Sequence, residues 1–251
     1  MTKWARIYRM IFHRKGHGVH SPFVFDLITH VIEQPLSYYS YKEMDLIRLH
    51  LQQSNRSIND QGKRYTMQKY LRKQAISKKE GELLFRIANQ YKPYSILTIG
   101  SSMGLLPLYL TGYSSKACCI TLENNDEIAL IAQEALEERE NRQTRIYPGL
   151  YEQSLPDALQ ELEKIDFLYI SKTLTIKESD TAYHQCIPLM HDETIVLIGG
   201  IHDTPDKQKY WQQLCKDPQV TVSIDLYQSG LIFFQPQLHK RMYKGIINYE
   251  I

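Results

Sequence analysis

The chain reads as an α/β protein: a doubly wound, mostly parallel seven-stranded sheet with a C-terminal antiparallel hairpin, preceded by an N-terminal helical module. Three observations predict this. Five short apolar runs alternate with helical stretches between residues 95 and 198, as crossover units require. Two further runs, 220–226 and 230–234, are separated by only Tyr227-Gln228-Ser229, too short a link for a crossover, so one of them must run antiparallel. The first 80 residues carry 15 Lys and Arg against 6 Asp and Glu, leaving 15 against 22 for the rest, so the amino-terminal third is a compositionally separate, basic unit. The predicted division is a basic helical module over 1–76 and the sheet domain over 77–251.

Taken in order, residues 3–13 place Trp4, Ile7, Tyr8, Ile11 and Phe12 at helical spacing among Arg6 and Arg9, a basic amphipathic helix. Such a helix lies either on a membrane or on the protein's own body, and the short length favours the second. The turn formers of Gly16-His17-Gly18-Val19-His20-Ser21-Pro22 precede a helix over 23–33, and another follows over 42–52. The polar stretch 53–64 is expected to be a mobile loop. Ser77 with Glu80 three residues on predicts a capped helix whose Leu83, Leu84, Ile87 and Ala88 repeat at 3.6. Strands are then expected at 95–99, 117–122, around Arg145, at 166–170 and 194–198, with helices at 105–110, 126–139, 154–162 and 179–188. Thr204-Pro205 opens one more helix before the terminal hairpin.

With 251 residues, 43% apolar and 23% charged, the chain is neither disordered nor fibrous. No run reaches the ~18 consecutive apolar residues of a membrane span, and the first residues lack the apolar stretch and cleavage site of a secretory signal, so a cytoplasmic protein is expected. Cys118, Cys119, Cys186 and Cys215 show no metal or redox spacing and read as buried small hydrophobes.

In doubly wound sheets ligands bind beyond the carboxyl ends of the strands. After the first strand stands Gly100-Ser101-Ser102-Met103-Gly104, where glycines let a ligand approach the backbone. After the second stands Glu123, whose carboxylate suits the two hydroxyls of a ribose. Each signal alone has a structural reading, a turn and a solvated acid; together they point to a nucleoside-containing ligand. The dinucleotide pattern G-x-G-x-x-G fails at Ser102 and lacks its third glycine, which argues against NAD.

This five-residue loop, the ribose acid and the terminal hairpin resemble the Rossmann-like class I S-adenosylmethionine-dependent methyltransferases, and more narrowly a bacterial family related to the catechol-type small-molecule O-methyltransferases. The likeness runs through His17-Gly18-Val19-His20-Ser21-Pro22-Phe23, Glu82-Leu83-Leu84-Phe85-Arg86, Ile201-His202, and Ser223-Ile224-Asp225-Leu226 with Gly230-Leu231. It implies S-adenosylmethionine as cofactor, held by Gly100, Ser101, Ser102, Met103, Gly104, Glu123, Gly149 and Ser171, and a small-molecule methyl acceptor. A homodimer is left open; nucleic acid and membrane are not expected partners.

The family's acids fail at Thr98, at Ser171-Lys172-Thr173-Leu174 and at Gly199-Gly200, and its glycine-rich loop is reduced to Asp60-Gln61-Gly62-Lys63. In catechol-type enzymes the acids beyond strands four and five bind a hard cation, which needs oxygen ligands. Ser171, Gly199 and Gly200 bring no charge and Asp203 reads as a helix-entry residue, so no catalytic metal is expected. His20 and His202 are the candidates for a general base, each also readable as a structural hydrogen-bonded histidine. Three function classes follow: an active metal-independent methyltransferase, a methyltransferase-fold protein that has lost catalysis, and a basic-surface interaction protein. Gly100→Val is expected to block cofactor approach with the fold intact.

Overall fold

The computed structural model describes residues 16–60, 62–245 and 247, so the amphipathic helix expected over 3–13 lies outside the described residues. Helix α1 (Pro22–Asp26) is opened by Ser21, whose Oγ accepts from Val24 N at 3.4 Å, with Pro22 at the first position, where a missing N–H costs nothing. It continues without a break into one widened π-helical turn (Leu27–Ile32). Helix α2 (Tyr39–Gln53) follows, then strands β1 (Ser57–Asp60) and β2 (Lys63–Thr66), and helix α3 (Met67–Lys73).

The stretch expected to be a mobile loop is thus a paired antiparallel hairpin, with Ile58↔Tyr65 and Asn59↔Arg64 in register. Its apolar anchors are Ile58, fully buried, and its partner Tyr65, half-buried against Tyr70. One such residue per strand among polar neighbours gives no alternating pattern, and contacts distant in sequence hold the hairpin instead.

Ser77 caps α4 (Lys78–Tyr91), its Oγ accepting from Glu80 N at 3.2 Å. The main sheet then alternates with helices: β3 (Ser95–Ile99), α5 (Leu105–Thr111), β4 (Cys118–Glu123), α6 (Asp126–Glu138), β5 (Thr144–Pro148), α7 (Tyr151–Gln160), β6 (Ile165–Ile170), α8 (Ile176–Cys186), β7 (Met190–Gly199) and α9 (Pro205–Leu214). It closes with β8 (Val222–Asp225), β9 (Ser229–Phe233) and β10 (Arg241–Lys244). The order is β10-β8-β9-β7-β6-β3-β4-β5, with β9 antiparallel to both neighbours and every other pairing parallel. Among the described residues this sheet has eight strands rather than seven. The addition, β10, is an edge strand in which only Tyr243 is buried, so it carries no apolar run to announce it.

Successive side chains point to opposite faces, and the core follows that alternation. Ile96, Phe167, Tyr169, Ile195 and Leu197 face one layer; Leu97, Ile99, Leu168, Ile170, Val196 and Ile198 face the other. Val24, Met44, Ile58, Met67 and Leu71 of the amino-terminal segment enter the first layer beside α4, α5 and α6. Arg86 fastens this junction: its guanidinium, 7% exposed, donates to the carbonyls of Val31 (2.6 Å) and Ile32 (3.1 Å) and to the Tyr41 hydroxyl (3.4 Å). It thereby satisfies carbonyls left over at the end of the π-turn. Of the cysteines, Cys119, Cys186 and Cys215 are buried free thiols, whereas Cys118, first residue of β4, is exposed. Among the described residues no helix is long and apolar enough to cross a membrane.

Candidate functional site

The loop between β3 and α5 sits at the centre of the carboxyl edge of the sheet. Gly100 N donates to Leu122 O at 2.8 Å, then the chain turns with positive φ at Gly100 (101°), Ser102 (52°), Met103 (60°) and Gly104 (81°). Two non-glycine residues in the left-handed region are an uncommon expense of about 1–3 kcal/mol each, of the kind surrounding structure must enforce. Here it does: Met103 is fully buried, Ser102 Oγ accepts from Ile76 N at 2.8 Å, and Gly104 N closes on Ser101 O at 3.1 Å.

Glu123 ends β4 directly beside this loop. Its Oε2 accepts from Ser101 N (3.0 Å) and Ser101 Oγ (2.7 Å), and its Oε1 from Asn125 N (3.3 Å). The side chain is almost wholly buried, and burial pushes its pKa up, against the lowering effect of the Ser101 and Asn125 hydrogen bonds. Asp60, at the end of β1, adds a like charge in the same direction. The hairpin is held here from both sides: Asn59 N donates to Glu127 Oε2 at 3.0 Å, and Asn125 Nδ2 donates to Asn59 O at 2.7 Å. Tyr70 and Tyr151, both buried, complete the surroundings, their phenols pushed up by burial and by the charge of Glu123.

Gly100, Ser101, Ser102, Met103, Gly104 and Glu123 are therefore brought into one cluster. Ser171 joins them from β6: a Cβ on Gly100 would meet Ser171 Cβ at 2.7 Å. Gly100→Val is for that reason not a fold-neutral change, because the side chain has no room and φ is 101°. Gly149 N donates to Glu123 O at 2.9 Å, and nothing lies within 4 Å of where its Cβ would stand, so the backbone after β5 is open to an approaching group.

The two histidines are not brought to this loop. His202 Nε2 lies 2.8 Å from Asp225 Oδ2 at the end of β8, and its ring stacks on Tyr227 at 5.3 Å. The ring thus reaches past β9, away from β3. His20 lies three residues before Phe23, whose ring packs 5.2 Å from Phe233 and 6.5 Å from Tyr91, both at the amino edge of the parallel strands. That is the opposite edge of the sheet. Asp203 precedes the true cap of α9, Thr204, whose side chain accepts from Lys207 N.

Sequence reasoning named Glu80, Lys172 and Asp203 separately and Lys207 not at all; it missed that the four charged groups gather above β6 and β7. Lys172 Nζ donates to Ala75 O at 3.2 Å, and Lys207 Nζ donates to the Lys172 carbonyl. Burial raises the pKa of Glu80, with Lys172 opposing, and lowers that of Lys207, with Asp203 opposing. The available signal was a lysine directly after Ser171 at the end of β6. Among the described residues no group of three or more His, Cys, Asp or Glu could hold a metal ion. Beside two ammonium groups, with Glu80 buried and Asp203 the one other carboxylate of the four, the residues gathered here are a poor fit to a hard divalent cation, which needs several oxygen ligands.

No protein-family model matches the chain, and no curated protein matches it in sequence. Solved structures do. The O-methyltransferase of Bacillus cereus, in complex with SAH, aligns at 17% identity and a TM-score of 0.55, covering 84% of this chain and 97% of that one. An O-methyltransferase of Streptomyces achromogenes involved in tomaymycin synthesis, in complex with SAM, aligns at 13% identity and 0.56, covering 94% and 100%. An SAH-bound methyltransferase of Podospora anserina aligns at 16% identity and 0.52, covering 80% and 99%. Identities this low speak to architecture, and the chain shares the Rossmann-like α/β fold of these methyltransferases.

Proposed function

We propose that the protein is a methyltransferase that uses S-adenosylmethionine, acts on a small-molecule acceptor and needs no divalent metal. The observation that carries this reading is the joining of Glu123 to the strained loop 100–104 through Ser101, at the carboxyl edge of a sheet with this strand order. Gly100 to Gly104 would hold the amino-acid end of the cofactor, Glu123 its ribose, and Gly149 the side of its adenine, with Ser171 lining the cleft. A carboxylate has about four acceptor positions, and Ser101 and Asn125 fill three, so a ribose hydroxyl takes the remaining one or displaces the Ser101 hydroxyl. When bound, the cofactor supplies a methyl group already activated on a sulfonium, so the chain's own contribution is positioning and exclusion of water.

The absence of carboxylates at Ser171, Gly199 and Gly200 supports metal independence. SAM and SAH in the solved relatives support the choice of cofactor. Calorimetry of the purified protein with S-adenosylmethionine and, in parallel, NAD tests it. Binding of the first on the order of micromolar and none of the second is expected. Millimolar or absent binding of the first overturns the reading.

One observation favours a second reading, a methyltransferase fold without turnover. Glu123 is only 5% exposed and its oxygens already carry internal hydrogen bonds, the state of a carboxylate kept for structure. Millimolar or absent binding in the same calorimetry favours this second reading.

A further inference from the structure

Gly199 and Gly200 have a local explanation that involves no cofactor. A Cβ on Gly199 would come within 2.9 Å of Lys172 N, and one on Gly200 would meet the Asp203 carboxylate first and then Lys172 Cβ at 2.7 Å. The two glycines make room at the end of β7 for Lys172 and for the Asp203 carboxylate. Lys207, from the first turn of α9, reaches the same place and donates to the Lys172 carbonyl. Lys172 Nζ donates to Ala75 O at 3.2 Å. An ammonium has three donors, so the one bond shown for each leaves capacity for an incoming acceptor on both.

Both lysines are half-buried, where a charge is screened less than at the surface. The facing acids are Asp203, exposed, and Glu80, buried at the start of α4, where burial favours its neutral form. Two lysines thus meet one exposed and one buried acid at the strand ends adjoining Ser171 and the loop 100–104.

We infer that Lys172 and Lys207 form an anion-binding pair that takes an ionised oxygen of the methyl acceptor, a phenolate or a carboxylate, and supplies there the positive charge that a divalent cation would otherwise bring. This rests on the methyltransferase reading above. Charge-assisted hydrogen bonds from two ammonium groups orient such an oxygen beside the cofactor loop and select against neutral acceptors.

The test uses the full chain with and without SAH, titrated with 4-nitrophenol, benzoate and, as the neutral counterpart, benzamide. Wild-type protein is expected to bind nitrophenol as its phenolate, seen as growth of the visible phenolate band near neutral pH, and to bind benzamide at least about tenfold more weakly. The benzoate arm tells whether a carboxylate serves as well as a phenolate. Lys172→Met and Lys207→Met are each expected to weaken anion binding by about tenfold and to abolish the band change, with Lys172→Arg restoring most of both. Lys207→Met keeps the test decisive if Lys172→Met fails to fold. Equal affinity for benzamide, no binding of either anion, or unchanged anion affinity in both Met variants overturns the inference. Loss of SAH binding with anion binding intact instead overturns the methyltransferase reading alone.

Discussion

Glu123 accepts three hydrogen bonds from two neighbours while nearly out of contact with water. A charged acceptor in such a position loses about 1.5–3 kcal/mol of ligand binding when removed. Glu123→Ala is therefore expected to loosen S-adenosylmethionine by about ten- to a hundredfold in calorimetry, and an unchanged dissociation constant would exclude a ribose contact. The same variant frees Ser101, so its melting temperature is measured alongside to separate binding from folding. Gly100 is a different kind of residue. Its φ of 101° and the 2.7 Å approach of Ser171 make even Gly100→Ala a stability change, expected at about 2 kcal/mol by chemical denaturation. Glu123 and the glycine loop were legible in the sequence because their spacing from the strands is fixed by the crossover unit. The lysines were not, because Lys172 and Lys207 lie 35 positions apart and meet only where two strand ends adjoin.

At the scale of elements, the amino-terminal segment is joined to the sheet by side chains reaching across long stretches of sequence. Arg86 on α4 satisfies the carbonyls of Val31 and Ile32, 55 and 54 positions away. Arg86→Met keeps much of the volume but leaves two buried carbonyls and the Tyr41 hydroxyl without this donor. It is expected to destabilise the protein by about 3 kcal/mol in urea unfolding, read as a lower midpoint with little change in slope. The hairpin β1–β2 depends likewise on Asn59 and its two bonds to the start of α6. Helices with periodic apolar faces, α4 above all, could be read from sequence. The hairpin and β10 could not, because their residues are mostly polar and gain order from partners rather than from their own pattern.

For the whole molecule, the buried acids set a pH dependence whose sign is fixed. Glu80 and Glu123 have folded pKa values raised by burial, so they favour the folded state fully below the ordinary carboxylate pKa, and that stability is lost as pH rises through the folded values. Asp166 behaves oppositely: burial works against its charged form, but Lys164, the Ser95 N–H and His191 outweigh it and hold the carboxyl below its ordinary value. Its contribution is present above the ordinary value and lost as pH falls through the folded one. Glu80→Gln, which removes one raised acid, should therefore gain melting temperature relative to wild type as pH increases from about 5 to about 8. A constant difference across that range would show that Glu80 keeps an ordinary pKa. Activity, once an acceptor is found, is expected to survive EDTA unchanged. Loss with chelator and recovery with Mg²⁺ would require a ligand set that Ser171, Gly199 and Gly200 do not supply.

The sequence by itself determined the alternation of strands and helices, the antiparallel turn at Tyr227 and the pairing of a glycine loop with Glu123, because each is local or set by the length of one crossover. Only the tertiary structure decided which charged groups share a strand end. It directed His202 toward Asp225, set His20 at the far edge of the sheet, and placed Lys172 over Gly199 and Gly200. The physical reason is that the groups at a strand end come from elements distant in sequence: β7 lies against β9 and β6 against β3, and α9 and the segment before α4 close over the same edge.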